Sequence, residues 1–445
     1  MTIKQFKDEP LAHYSYAIVS NGEMALVDPA RNPMQYYSYA EEQDAKIVAV
    51  FETHPHADFV SSHMQVHEET GATIYASEML GADYPHKSFD DGDSIKIGDA
   101  EFSAINTPGH SPDSITLVAK EKDKTALFTG DTLFIGDVGR PDLREKAGNM
   151  KAKRKDLAKQ MYDSIQNKFN DLPDDALVYP AHGAGSLCGK NMSDASSSTL
   201  GNERQGNWAF KDQTEDEFVE EILKDQPFIP GYFGFNVDVN KTGPENVQRT
   251  KWANKLRLNV TELEDGISVV DTRDADKFKA GHLPGSINIM ARSEDDKYET
   301  WLGAIIKPEE EFYLVLDSVN DLEEMLERTA KIGYEKQVKA VVTLGKEVSE
   351  KSEILDLEDF KKNKDHYTIV DIRNKSEVAE GKIFEDAYTV PLNELRDNTT
   401  EIPSHKPVVV HCAGGYRSAA GSSILDKLFD STKVYDLSDD VKEFK

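Results

Sequence analysis

The chain has 445 residues, of which 38% are hydrophobic and 30% charged, and 52 Lys+Arg against 81 Asp+Glu leave a net charge of −29. That balance counts against nucleic acid and anionic membrane surfaces as partners, which repel such a chain, and no apolar run approaches the roughly 20 residues that span a bilayer. A length of this order predicts roughly three domains at about 150 residues each.

The N-terminus, Met1-Thr2-Ile3-Lys4-Gln5-Phe6, has no apolar stretch or small-residue cleavage site, so a cytoplasmic protein is expected. Asn21-Gly22 between the runs Tyr14–Val19 and Met24–Val27 predicts a hairpin. A helix is expected over 33–44. The β-prone stretch 47–51 then runs into Thr53-His54-Pro55-His56-Ala57-Asp58-Phe59. A buried strand ending in histidines and a carboxylate can place metal ligands, because the strand fixes the backbone from which they project. Residues 62–70 read as a helix on which His63 and His67 are expected to be solvated. Three further strands end the same way, at Thr107-Pro108-Gly109-His110, at Thr129-Gly130-Asp131 and at Tyr179-Pro180-Ala181-His182. One such loop is unremarkable as a turn, but four together predict a metal site.

His54-x-His56-x-Asp58, His110, Asp131 and His182, in this order, resemble the metallo-β-lactamase fold. The resemblance covers roughly the first half of the chain and implies two facing sheets with outer helices, an αββα sandwich. The common dinuclear members have histidine directly after the aspartate, where this chain has Phe59, which cannot ligate; a mononuclear centre is therefore expected. The stretches 54–61, 136–143 and 182–190 are similar to the persulfide dioxygenases. That resemblance implies one Fe(II) per chain, held by His54, His110 and Asp131. His56, Asp58 and His182 would then orient the ligands or line the pocket. Two histidines and a carboxylate on one face leave positions open for a substrate sulfur and O2, as non-haem Fe(II) oxygenases require; zinc would suit hydrolysis instead. Arg140 reads either as a clamp for an anionic substrate or as a structural ion pair. Cys188, one of two cysteines, reads either as a thiol at the metal mouth or as packing.

Aromatic and proline-rich residues between 200 and 240, with an acidic helix over 214–225, predict a segment wrapped on the first domain. Lys241-Thr242-Gly243-Pro244 is its most linker-like point. From residue 260 short α/β units begin. Val269-Val270-Asp271-Thr272-Arg273 followed by Gly281-His282-Leu283-Pro284-Gly285 returns later as Ile369-Val370-Asp371-Ile372-Arg373, an internal repeat. It resembles the rhodanese family of small α/β sulfurtransferase domains. In the second copy, a strand over 408–410 leads to Cys412-Ala413-Gly414-Gly415-Tyr416-Arg417-Ser418 and a helix. Small residues let this loop curl its N–H groups inward around one sulfur, and Arg417 with the helix N-terminus adds positive potential favouring a thiolate or persulfide. The first copy reads Leu316-Asp317-Ser318-Val319-Asn320 where the loop belongs, without cysteine or arginine, and is expected to be catalytically silent.

The expected architecture is α/β: a metallo-β-lactamase sandwich over 1–240, a silent rhodanese-like domain over 255–350 and an active one over 351–445. The family resemblance implies oxidation of a low-molecular-weight thiol persulfide by O2 to sulfite, sulfur transfer through Cys412, and a homo-oligomer, dimer or tetramer. Two rivals stay open from sequence: a zinc thioester hydrolase of the glyoxalase II kind, and a non-enzymatic persulfide carrier.

Overall fold

A computed structural model describes residues 1–144, 153–251, 256–346, 348, 350–429 and 431–445. It forms two compact units, Met1–Thr250 with Ala330–Gly333, and Lys251–Thr329 with Tyr334–Lys445. The first unit holds two six-stranded sheets. In one, the hairpin forms as expected: His13–Ser20 and Glu23–Val27 pair antiparallel, and Asn21 and Gly22 both take positive φ, the backbone a tight two-residue turn demands. Lys46–Phe51 then pairs parallel with Glu23–Val27, so both strands deliver their C-termini to the same edge. In the other sheet Lys124–Gly130 lies between Ile115–Glu121 and Leu177–Pro180. Inward-facing Tyr16, Phe51, Phe102, Leu117 and Phe128 join the two sheets in one buried core.

The helix expected over 33–44 spans Met34–Glu42. The acidic helix spans Glu215–Leu223, and Thr214 opens it with a reciprocal capping box to Glu217. Trp208, Phe210 and Phe218 pack with Leu127 and Val178 outside the second sheet, so the segment wraps the sandwich as its composition predicts. The linker-like point does not end the first unit. Residues Tyr232–Thr242 form a helix whose Asn240 and Lys241 are buried, and the unit continues to Thr250. The boundary expected at 255 lies outside the described residues.

The second unit holds a five-stranded and a four-stranded sheet whose strands are all parallel. The two expected C-terminal domains are these two sheets, clustered in one unit. Their repeat extends to atoms: Arg273 pairs with Asp271 and donates to the Gly281 carbonyl (2.8 Å), and Arg373 pairs with Asp371 and donates to the Gly381 carbonyl (3.0 Å). No helix among the described residues is long and apolar enough to cross a membrane.

Candidate metal centre and sulfur loop

His54, His110 and Asp131 arrive from three loops at one end of the sandwich and are all buried. Close approach of two of these loops depends on Gly130. Its φ is +52°, and a Cβ there would lie 2.5 Å from Thr53 Oγ1, so a side chain would push Asp131 away from His54. The Nε2 atoms of His54 and His110 stand 3.8 and 3.5 Å from Asp131 Oδ2, which has no hydrogen-bond partner among the described residues. Burial pushes both imidazoles below their ordinary value, His54 well below, and keeps their lone pairs free. Burial alone would raise the Asp131 carboxyl, but His182 and His110 beside it hold it well below the usual range. Two neutral ring nitrogens facing an ionised, unpaired carboxylate oxygen form a donor set that fits a divalent metal ion.

Surrounding groups orient these three side chains. Thr53 Oγ1 donates its one proton to Asp28 Oδ2 (2.8 Å) and lies 3.0 Å from His54 Nδ1, so His54 must carry its proton on Nδ1 and present Nε2 to a metal. His182 sits between two carboxylates, with Nδ1 2.7 Å from Asp131 Oδ1 and Nε2 2.7 Å from Asp58 Oδ2. Burial opposes its protonation, yet Asp131 and Asp58 outweigh it and raise His182 well above its ordinary value. Both His182 nitrogens are therefore engaged. His56 turns Nε2 to Asp28 Oδ1 (3.1 Å) and Glu52 Oε2 (3.9 Å), while Nδ1 is without a hydrogen bond among the described residues. Phe59 fills the space between the rings of His56 and His13, with centroids 4.3 and 3.9 Å away. Asp28, Glu52 and His56 also lie within ligand distance of one another, as do Asp58, His182 and Cys188. Only in the set His54, His110, Asp131 do two ring nitrogens converge on an unpaired carboxylate oxygen.

Sequence reasoning missed several of these partners. Asp28 ends a strand at the same sheet edge as His54, a signal that could have been read. Glu52, whose carboxyl is pushed up to about 8 by burial and by Asp28, directly follows the strand Lys46–Phe51 and carries the same mark. The Asn240 amide donates to the carbonyls of His56 and Phe59, 2.8 Å each, from a helix far along the chain. Arg144 is buried against Asp113 at 3.2 Å.

Two expectations about solvated groups are corrected. His63 is buried, 3.7 Å from Glu52 and packed on Tyr84, because the helix His63–Thr70 turns that face inward; His67 is half-buried and bonded to the Ala72 carbonyl. Arg140 is buried too. Asp142 grips it through two hydrogen bonds (2.7 and 2.8 Å), and the carbonyls of Leu187 and Pro227 take further N–H groups. This is the geometry of a structural ion pair that pins a loop, the second of the two readings open from sequence. Cys188 is buried beside Asp58 and His182; burial, then the charges of Asp131 and Asp58, push its thiol well above the ordinary value.

The second cluster is one continuous loop. Val408–His411 ends in Cys412, and the Gly415 N–H donates to its Sγ at 3.1 Å. Gly415 has φ +97°, and a Cβ there would meet Asp439 at 2.9 Å, so the inward curl requires glycine. Ser418 Oγ donates to the Gly415 carbonyl (2.9 Å), Ala413 is half-buried and Gly414 exposed. The helix starts at Tyr416. Arg417 donates both terminal nitrogens to Glu377, at 2.6 and 2.7 Å. At the matching strand end of the first copy, Ser318 and Asp321 form a capping box and Lys277 pairs with Asp317.

The metallo-beta-lactamase superfamily model matches residues 8–182, and the rhodanese-like domain model matches twice, at 255–342 and 356–445. A crystal structure titled as a metallo-beta-lactamase from Staphylococcus aureus is 30% identical, covers 77% of this chain and 99% of its own, and superposes with a TM-score of 0.67. The chain belongs to the metallo-β-lactamase superfamily. It fuses that domain to two rhodanese-like domains. The metallo-β-lactamase domain is 30% identical over 162 residues to the human mitochondrial persulfide dioxygenase ETHE1, covering 36% of this chain and 59% of that protein. It is also 30% identical over 176 residues to a cytoplasmic hydroxyacylglutathione hydrolase of Arabidopsis thaliana, 38% of this chain and 63% of that one.

Proposed function

We propose that the metallo-β-lactamase domain oxidises the sulfane sulfur of a low-molecular-weight thiol persulfide at one ferrous ion held by His54, His110 and Asp131. The observation that carries this reading is the convergence of His54 Nε2 and His110 Nε2 on the unpaired Asp131 Oδ2. Three protein ligands leave room for two further ones, and an iron ion held there would supply the activation of O2 beside a bound sulfur. Phe59 supports a single metal, since it occupies the position that would ligate a second. His182 supports it as well, with both nitrogens spent on Asp131 and Asp58. In that role His182 steadies the charge of Asp131, Thr53 and Asp28 fix the proton of His54 on Nδ1, and Phe59 with His13 lines the site with apolar faces. The balanced reaction is RSSH + O2 + H2O giving RSH, sulfite and two protons.

The second rhodanese copy accepts or delivers sulfane sulfur at Cys412. Attack of sulfite on a Cys412 persulfide would break its S–S bond, return the thiolate and form thiosulfate. The Gly415 N–H directed at Sγ supports a sulfur anion in that place.

The test is metal analysis of protein purified without added metal, with O2 uptake on glutathione persulfide and product analysis. One iron per chain, O2 consumption and sulfite are expected. Two zinc ions per chain and thioester hydrolysis without O2 uptake would establish the hydrolase reading, which the Arabidopsis relative represents.

A further inference from the structure

The first rhodanese copy has no cysteine in its loop, and no step above uses it. Its residues nevertheless meet the sulfur loop of the second copy. Trp301, on the helix Tyr298–Ile305, presents its ring face to Arg417, with the guanidinium carbon 5.9 Å from the ring centroid. Glu377 grips the same guanidinium through two hydrogen bonds. Arg417 is thus held by an aromatic face and a carboxylate, each of which attracts a cation. The Tyr416 hydroxyl donates to the Met290 carbonyl of the first copy (2.8 Å), and Met290, Ala275 and Ala419 form a buried cluster beside Tyr416. The Asn288 N–H donates to Ser423 Oγ on the helix that follows the loop (3.0 Å). These contacts land on the segment that carries Arg417, and the partner placed against its charge is an aromatic ring. A guanidinium has five N–H directions, of which Glu377 takes two.

We propose that Trp301 of the cysteine-free copy is a positioning residue for sulfur transfer: with Glu377 it fixes the Arg417 guanidinium beside Cys412 so that its remaining N–H groups receive a small sulfur oxyanion, sulfite or thiosulfate. The first copy is then a wall of the sulfur pocket and not a spacer. The inference rests on the second copy being a sulfurtransferase and deepens that reading.

The experiment uses the full chain. Trp301→Ala and Trp301→Leu raise KM for the oxyanion about five- to tenfold and leave kcat within about twofold. Trp301→Phe, which keeps a ring face, stays near wild type. O2 uptake on glutathione persulfide is unchanged in all three and reports that the chain is folded. A second measurement follows alkylation of Cys412 by peptide mass spectrometry with anionic iodoacetate and neutral iodoacetamide. Wild type favours the anion, and the rate ratio falls in Trp301→Leu towards that of Arg417→Ala. The inference is overturned if Arg417→Ala changes KM and the ratio while both tryptophan variants leave them as in wild type. Should wild-type Cys412 neither take up nor release sulfane sulfur, the sulfurtransferase reading fails and this inference with it, a result distinct from the first.

Discussion

The metal centre and the sulfur loop are built in opposite ways. His54, His110 and Asp131 come from three loops; His182 holds Asp131, Asp28 holds Thr53 beside His54, and Asn240 holds the backbone of the His54 loop, each from another part of the chain. Cys412 to Ser418 is one uninterrupted stretch whose shape is set by a strand end, Gly415 and a helix start. The first site depends on sheet register across the whole sandwich, whereas the setting of the Cys412 sulfur in the second depends on one backbone curl. The difference teaches where each is fragile: the metal centre to loss of a distant partner, the sulfur loop to a change in its own backbone.

Four substitutions sharpen that comparison. The largest effect is expected from His110→Ala, which removes one of the three proposed ligands. Bound metal should fall from one per chain to near none and O2 uptake should vanish, while sulfur transfer at Cys412 persists; metal analysis beside a thiosulfate assay checks both halves. Next, Asp58→Asn withdraws a charge from His182 and so loosens Asp131. Groups behind metal ligands are worth about 10–100-fold in metal affinity, and a chelator competition would read this loss. Gly415→Ala should lower stability by about 1–3 kcal/mol from the strained φ and abolish much of the sulfur transfer without touching metal content; thermal melting with both assays would show it. Full transfer activity in this variant would break the idea that the curl makes the site.

The smallest effect concerns pH. Burial opposes ionisation of Glu377, but Arg417 outweighs it and holds the carboxyl below its ordinary value of 4.5. A depressed carboxyl contributes its stability fully above that ordinary value and loses it as pH falls through the lowered one. Wild type should therefore exceed Glu377→Gln in stability at neutral pH, with the gap closing in acid. A gap of constant size from pH 7 to 3 would show that the pair's charge is not what stabilises.

The chain's own order of residues determined much of this protein: the hairpin at Asn21-Gly22, strand ends carrying His54, His110, Asp131 and His182, the repeat of Asp-x-Arg, and the glycine loop at Cys412. These are legible because each is a local matter of turn chemistry, strand propensity and ligand type within a few residues. Tertiary structure alone decided that Arg140 spends itself on Asp142, that His63 faces inward to Glu52, that both nitrogens of His182 are taken, and that Trp301 stands against Arg417. Except for Asp142, two residues from Arg140, these partners lie in other parts of the chain, and which groups meet is set by packing and sheet register, which no short stretch of sequence encodes.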